Sequence, residues 1–367
     1  MSSPLVYGCM NLGGSWGQTE IPAAQYDVAR DAVHAAHRAG ITLFDHADIY
    51  VGGDSETVFG RILAEDESLR RSVRIQTKCG IKLPGNTGPA GSPAHYRLDR
   101  DSIRSSLEGS LRRLGVDRVE RLFLHRPDPL TPLGETARAL DELHREGLIG
   151  SVGLSNMTSH HVAALQQLMC VPLTAVQIQM SLEHRDFVES QVLANHPDGA
   201  AVSFPQGLLA QCVADEIELQ AWGALAGGAY SGAPAPSSGP VASSGSATSE
   251  DGGASGADAS SGTEPATSTA DGDAARDATG SAGGTTATSP RERTSALVAE
   301  LAARMDLSPE AVVVGWLLRH PYGIRPVVGT LNPRRIAACA QAPRAAELMN
   351  HEDWYALWTA ARGRPLP

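Results

Sequence analysis

The sequence predicts a (β/α)8 TIM barrel whose seventh strand is followed by a long low-complexity insertion. Three observations lead there. Eight apolar runs of strand length follow one another, at Leu5–Cys9, Ile41–Phe44, Val73–Thr77, Val119–Leu124, Ser151–Leu154, Ala175–Gln179, Ile217–Trp222 and Pro326–Val328. Most of them lack a clean apolar/polar alternation, as expected of strands covered on both faces of a parallel sheet. No βα turn carries the GxGxxG pattern of a doubly wound dinucleotide-binding sheet, since Gly8, Gly13 and Gly14 do not make it.

Helical patterns separate the strands. In Asp101–Leu114, the residues Ile103, Leu107, Leu111 and Leu114 recur at intervals of four, four and three, which places them on one face. Asp99 or Asp101 can cap that helix and Gly115 follows its end. The helix over Ala137–Arg145 ends in the same way before Gly147.

The length of 367 residues overstates the folded part. Ser231–Ser289 contains no Leu, Ile, Met, Phe, Trp, Tyr or Cys and only one Val, Val241. Such a segment buries too little apolar surface to offset ordering entropy, so it reads as disordered. One barrel is therefore expected over 1–230 and 290–367. Lengthening a loop from about 10 to about 60 residues costs only roughly 1.6 kcal/mol of closure entropy, which the barrel tolerates. The insertion is either a neutral expansion or a flexible lid.

The insertion holds five Asp, two Glu and one Arg, which is six of the eleven net negative charges. The rest of the chain is only mildly acidic, so a nucleic-acid-binding surface is disfavoured. No run of 18 apolar residues suggests a membrane span, and Met1–Gly14 lacks a secretory signal pattern. Cys9, Cys79, Cys170, Cys212 and Cys339 are scattered and odd in number, which points to a reducing cytoplasm.

In a barrel, polar residues at the C-terminal strand ends are the catalytic candidates. Strand two ends in Asp45, with Tyr50 five residues later; strand three ends near Lys78 and strand four near His125. Ser155-Asn156 follow strand five, Gln177 and Gln179 end strand six, Trp222 ends strand seven, and Gly329-Thr330 follow strand eight. A phenol titrates near 10, too high for an efficient acid at neutral pH. An adjacent ammonium is expected to lower it, and a carboxylate beside the ammonium to hold that charge in place. Together the four early residues can protonate an oxyanion as it forms at a carbonyl.

These residues carry a resemblance. Phe44-Asp45-His46-Ala47-Asp48-Ile49-Tyr50, Thr77-Lys78-Cys79-Gly80, Leu124-His125-Arg126-Pro127-Asp128-Pro129, Gly153-Leu154-Ser155-Asn156 and Val328-Gly329-Thr330 resemble the aldo-keto reductase superfamily, nearest its bacterial YdhF-type oxidoreductases. The resemblance covers nearly everything outside 231–289. It implies NAD(P)H-dependent reduction of aldehydes or ketones, with Tyr50 as general acid tuned by Lys78 and Asp45, and His125 orienting the carbonyl. It implies a cofactor, NADPH with NADH possible, held by Ser155, Asn156 and Gln177 at the carboxamide and stacked on Trp222. Gly329, Thr330, Leu331 and Arg335 would meet the adenosine phosphate. The partner implied is a small-molecule carbonyl substrate, and the assembly a monomer or weak homo-oligomer.

Three departures bear on detail. Asn332 replaces a basic residue of many relatives, so preference for NADPH rests on Arg335 and its neighbour Arg334. An N-terminal hairpin is not expected before a strand that begins near Leu5, and a short tail, Arg362–Pro367, implies a loosely specific pocket. Trp16 can line that pocket or pack on the surface, and Arg126 can contact substrate or pair with Asp128. Among the remaining candidates, His34 and His37 read as a solvated face, His160-His161 as a helix start, and Cys79 as a buried inert thiol. Two rival functions stand beside the reductase: a Schiff-base lyase using Lys78, and a non-catalytic nicotinamide-binding regulatory subunit.

Overall fold

A computed structural model describes residues 3–18, 20–231 and 289–367. Eight strands close into a parallel barrel: β1 (Val6–Gly8), β2 (Leu43–Asp45), β3 (Arg74–Cys79), β4 (Val119–Leu124), β5 (Ile149–Ser155), β6 (Leu173–Gln179), β7 (Glu218–Trp222) and β8 (Arg325–Val328). Each strand pairs with its sequence neighbours, and β8 closes the ring on β1 through Val6–Val327 and Tyr7–Val328. All eight expected strands are present, with ends moved by one or two residues. Ile81–Lys82 and His95–Tyr96 form an additional antiparallel pair after β3.

Several helices begin where a side chain takes up free backbone N–H groups. Asp99 accepts from Ser102 N at the start of Arg100–Leu114, and Gly115 ends that helix at φ 65°. Thr158 and His161 form a capping box on Ser159–Leu168, which is the local role of the His160-His161 doublet. Ser289 and Glu292 do the same for Pro290–Met305, with Pro290 at its first position. Ser289 thus belongs to the barrel's helix, and the hydroxyl of Ser231 bonds to Gly228 O. The two boundary residues of the expected insertion are therefore structural parts of the barrel, while 232–288 lies outside the described residues.

The outer core is apolar and fully enclosed, with Trp316, Trp358, Tyr7, Phe44, Phe59 and Phe187 as its largest members. The C-terminal helix His351–Arg362 is fastened by Trp358 Nε1 to Glu189 Oε1 (3.0 Å) and by Arg362 to Glu189 (3.2 Å) and Asp198 (3.0 Å). Gly153 in β5 is required by packing, because a Cβ there would stand 2.4 Å from the ring of Phe123 on β4.

The barrel interior departs from the expectation of strands without alternation. Gln76 (β3) donates to Gln220 (β7) at 2.8 Å, and Arg121 (β4) to Glu218 (β7) at 3.1 Å. These strands are not neighbours in the ring, so the bonds cross the lumen. Gln76 and Lys78 on β3, Arg121 and Phe123 on β4, and Glu218 and Gln220 on β7 are two residues apart, the period of one strand face.

Candidate active site

The C-terminal strand ends bring Asp45, Tyr50 and Lys78 into direct contact. Lys78 is 1% exposed, and its Nζ donates to Asp45 Oδ2 at 2.5 Å, to Tyr50 Oη at 2.9 Å and to the backbone carbonyl of His46 at 3.1 Å. An ammonium carries three donors and no acceptor. Here all three are used. The Tyr50 oxygen therefore accepts from Lys78, which leaves the phenol's own proton to point elsewhere. His125 packs edge-on to Tyr50, with ring centroids 6.1 Å apart.

The loop that presents Tyr50 is short and tightly folded. Tyr50 N bonds to Ala47 O, and Val51, Gly52 and Gly53 all adopt positive φ before the helix Asp54–Glu65. Asp45 is fixed from below: its Oδ1 accepts from Gln76 Nε2 at 2.6 Å and from Gln177 Nε2 at 3.1 Å.

The electrostatics correct one expectation. Burial raises the Tyr50 phenol, Lys78 pulls it down and Asp45 pushes it up; the net position is above the ordinary phenol value. The ammonium was expected to win, but the desolvation cost of a phenolate exceeds it. Tyr50 therefore holds its proton across the neutral range, the state a proton donor needs. Burial works against the Lys78 charge, yet Asp45 and Tyr50 outweigh it and hold the lysine above its usual value. A Schiff-base nucleophile needs a neutral amine, so this setting counts against a lyase. Burial, then Lys78 and Arg126, hold His125 well below the ordinary imidazole value. His125 is thus a neutral hydrogen-bonding group, and its Nδ1 has no hydrogen-bond partner among the described residues.

A second cluster sits across the mouth. Ser155 ends β5, and Asn156 takes a left-handed backbone at φ 55°, a conformation asparagine tolerates. Asn156 Nδ2 donates to Ser155 Oγ at 2.8 Å, and its Oδ1 accepts the indole N–H of Trp222 at 3.0 Å. These three residues form one connected platform. Gln177 is 2% exposed and committed to Asp45 and Gln220, so it lies beneath the platform, inside the barrel.

At the β8 end, Tyr7 Oη donates to Thr330 O and Asn11 to Gly329 O. Asn332 caps the helix Pro333–Cys339 by accepting from Arg334 N, and Leu331 is half-buried before it. Arg335 donates to Glu310 (3.0 Å) and to Ser231 Oγ (2.7 Å). A Cβ on Gly228 would come within 3.1 Å of the Arg335 guanidinium. A half-buried indole, an amide and hydroxyl beside it, a glycine turn and a guanidinium together fit a nicotinamide dinucleotide.

Asp128 accepts from Leu98 N, Leu130 N and the Thr131 hydroxyl, so its oxygens hold the loop after β4. Trp16 is 48% exposed in the loop after β1, and no hydrogen bond or ring contact joins it to the four central residues. The sequence reading missed Gln76, Gln220 and the His46 carbonyl. The polar positions two apart on β3 and β7 were the available signal.

The chain matches the profile of the aldo/keto reductase family over residues 4–354. It belongs to that family. This aldo-keto reductase is 30% identical over 362 residues to 6-dehydroglucose reductase of Agrobacterium fabrum, covering 99% of this chain and 95% of that one. To the Escherichia coli oxidoreductase YdhF it is 38% identical over 146 residues, 40% of this chain and 48% of YdhF. The structure of glycerol dehydrogenase AKR11B4 from Gluconobacter oxydans shares its fold, with TM-score 0.70 and 22% identity over 100% of this chain and 94% of that chain. The aldo-keto reductase is thus an oxidoreductase of a family that generally uses NAD(P)H. Among the described residues no helix is long and apolar enough to cross a membrane.

Proposed function

We propose that this aldo-keto reductase reduces aldehydes or ketones to alcohols with NADPH, NADH serving less well. The single observation that carries the reading is the Lys78 ammonium donating to the Tyr50 oxygen while Asp45 holds it. The dinucleotide, when bound, supplies hydride to the carbonyl carbon. Ser155 and Asn156 would hold its carboxamide, Trp222 its ring and Arg335 its adenosine phosphate.

The chain's own residues manage the proton and the oxygen. Tyr50 keeps its proton until negative charge develops on the substrate oxygen, then donates it. Lys78, already bonded to the phenol oxygen, stabilises the negative charge that this transfer leaves there. Asp45 keeps the ammonium in place and charged. Neutral His125, packed edge-on to Tyr50, orients the carbonyl oxygen towards Tyr50. The substrate is a small carbonyl compound, and five unpaired thiols suit a reducing compartment such as the cytoplasm.

The test is loss of reduced-nicotinamide absorbance with NADPH and with NADH against a panel of aldehydes, ketones and sugars. Turnover with faster use of NADPH is the expected result. Saturable NADPH binding with no turnover across the panel would contradict the reading and favour a regulatory role.

A further inference from the structure

The inner layers of a (β/α)8 barrel are normally filled by branched apolar residues. Below the catalytic lysine this barrel instead carries glutamines on three strands, Gln76, Gln177 and Gln220, which are 0%, 2% and 0% exposed. Buried amides left unpaired cost about 1–3 kcal/mol each. Gln76 and Gln220 meet that demand completely. They exchange two hydrogen bonds with each other, Gln76 Nε2 to Gln220 Oε1 (2.8 Å) and Gln220 Nε2 to Gln76 Oε1 (3.1 Å).

The charges at the opposite end of the barrel give each amide its direction. Arg121 Nη1 donates to Gln76 Oε1 at 3.2 Å, and a guanidinium cannot accept, so this end of the amide must be oxygen. Glu218 Oε1 accepts from Gln220 Nε2 at 2.6 Å, and an ionised carboxylate cannot donate. Glu218 is ionised: burial works to raise its carboxyl, but Arg121 and Arg325 outweigh it and hold it low. Arg121 is itself seated on Thr174 Oγ1 (2.8 Å), and Arg325 on Glu218 Oε2 (2.5 Å) and on Pro4 O. With both ends fixed, the N–H2 of Gln76 has only one way to face, towards Asp45 Oδ1, which it meets at 2.6 Å.

We propose that Gln76 is a positioning residue for the proton-transfer group, oriented by Gln220 and by the Arg121–Glu218–Arg325 cluster at the far end of the barrel. Its N–H holds the Asp45 carboxylate in the rotamer that receives Lys78, and Lys78 in turn sets Tyr50. The proposal rests on the reading of Tyr50 as proton donor. A misplacement of about 1 Å at a reacting group can cost on the order of 100-fold in rate.

The test compares Gln76→Met and Gln220→Met with the wild type and Tyr50→Phe, using NADPH and whichever panel carbonyl the wild type turns over fastest. The titratable groups facing Asp45 are Lys78 on β3, Tyr50 after β2 and the Cys9 thiol after β1, which burial keeps protonated. Without the Gln76 N–H the Asp45 carboxylate leaves the rotamer that receives Lys78, and the lysine loses the neighbour that holds it above its usual value. Gln76→Met is therefore expected to lower kcat about 10–100-fold. It should leave the NADPH Kd unchanged and move the alkaline limb of the pH profile to lower pH, as the Lys78 charge loses its partner. Gln220→Met, which touches neither Asp45 nor Lys78, should shift both in the same direction by less.

A folded Gln76→Met with wild-type kcat overturns the proposal. So does a loss of kcat that follows thermal stability while the pH profile stays put. Should Gln76→Met fail to fold, Gln220→Met decides by the same two criteria. Full turnover by Tyr50→Phe, or none by the wild type, overturns the functional reading and this proposal with it. An inactive Tyr50→Phe beside a fully active Gln76→Met overturns the positioning role alone.

Discussion

Lys78 Nζ stands 2.9 Å from the Tyr50 oxygen and must be the donor in that bond, because an ammonium has nothing to accept with. The phenol proton is thereby left for another acceptor, and the same ammonium is ready to stabilise the phenolate once the proton has gone. A buried charge arranged in this way depends on its partner.

Lys78→Met strands the Asp45 carboxylate, 2% exposed, without its counter-charge. Breaking one side of a buried pair costs about 3–5 kcal/mol. Urea denaturation should show a loss of that size, and Asp45→Asn with Lys78→Met should recover most of it. A double variant no more stable than Lys78→Met would contradict the pairing.

The role proposed for Arg335 at the adenosine phosphate makes it the residue that sets coenzyme preference. Charge-assisted hydrogen bonds contribute about 1.5–3 kcal/mol, so Arg335→Met should raise the KM for NADPH roughly 10–100-fold and that for NADH much less. Equal effects on the two coenzymes would remove Arg335 from the phosphate site.

His46 introduces acid sensitivity. The ring is fully buried against Phe59, neither nitrogen has a hydrogen-bond partner among the described residues, and burial followed by Lys78 lowers its pKa to about 3. In the unfolded chain it titrates near 6.5. The native state thus keeps it neutral, and the stability this contributes is complete above about pH 6.5 and lost as pH falls towards 3. His46→Leu should lose less stability than the wild type across that window. Parallel stability curves for the two proteins would contradict this.

Gly153 is a packing requirement. Gly153→Ala places its methyl 2.4 Å from the Phe123 ring, and overpacking of this kind costs about 1–3 kcal/mol. Phe123→Leu in the same chain should relieve much of the loss, as read by Tm.

The eight strands were legible because each is a bounded apolar run, and the first long helix after β3 because Asp99 and Gly115 mark its ends. Asp45, Tyr50, Lys78 and His125 were legible because strand ends in a barrel converge on one face. Gln76 and Gln220 were not, since their contact exists only between strands that face each other across the lumen. The net position of Tyr50 was misjudged for a related reason: charge neighbours can be read from a motif, whereas desolvation depends on packing. Composition placed Ser289 in the insertion, but its side chain caps a helix, which composition does not register.

The most direct measurement is Tyr50→Phe, which removes one oxygen and leaves the rest of the ring. NADPH Kd should stay at the wild-type value while carbonyl reduction falls about 10²–10⁴-fold, the usual contribution of a positioned general acid. Wild-type turnover by Tyr50→Phe would show that the proton comes from elsewhere and would contradict the central claim.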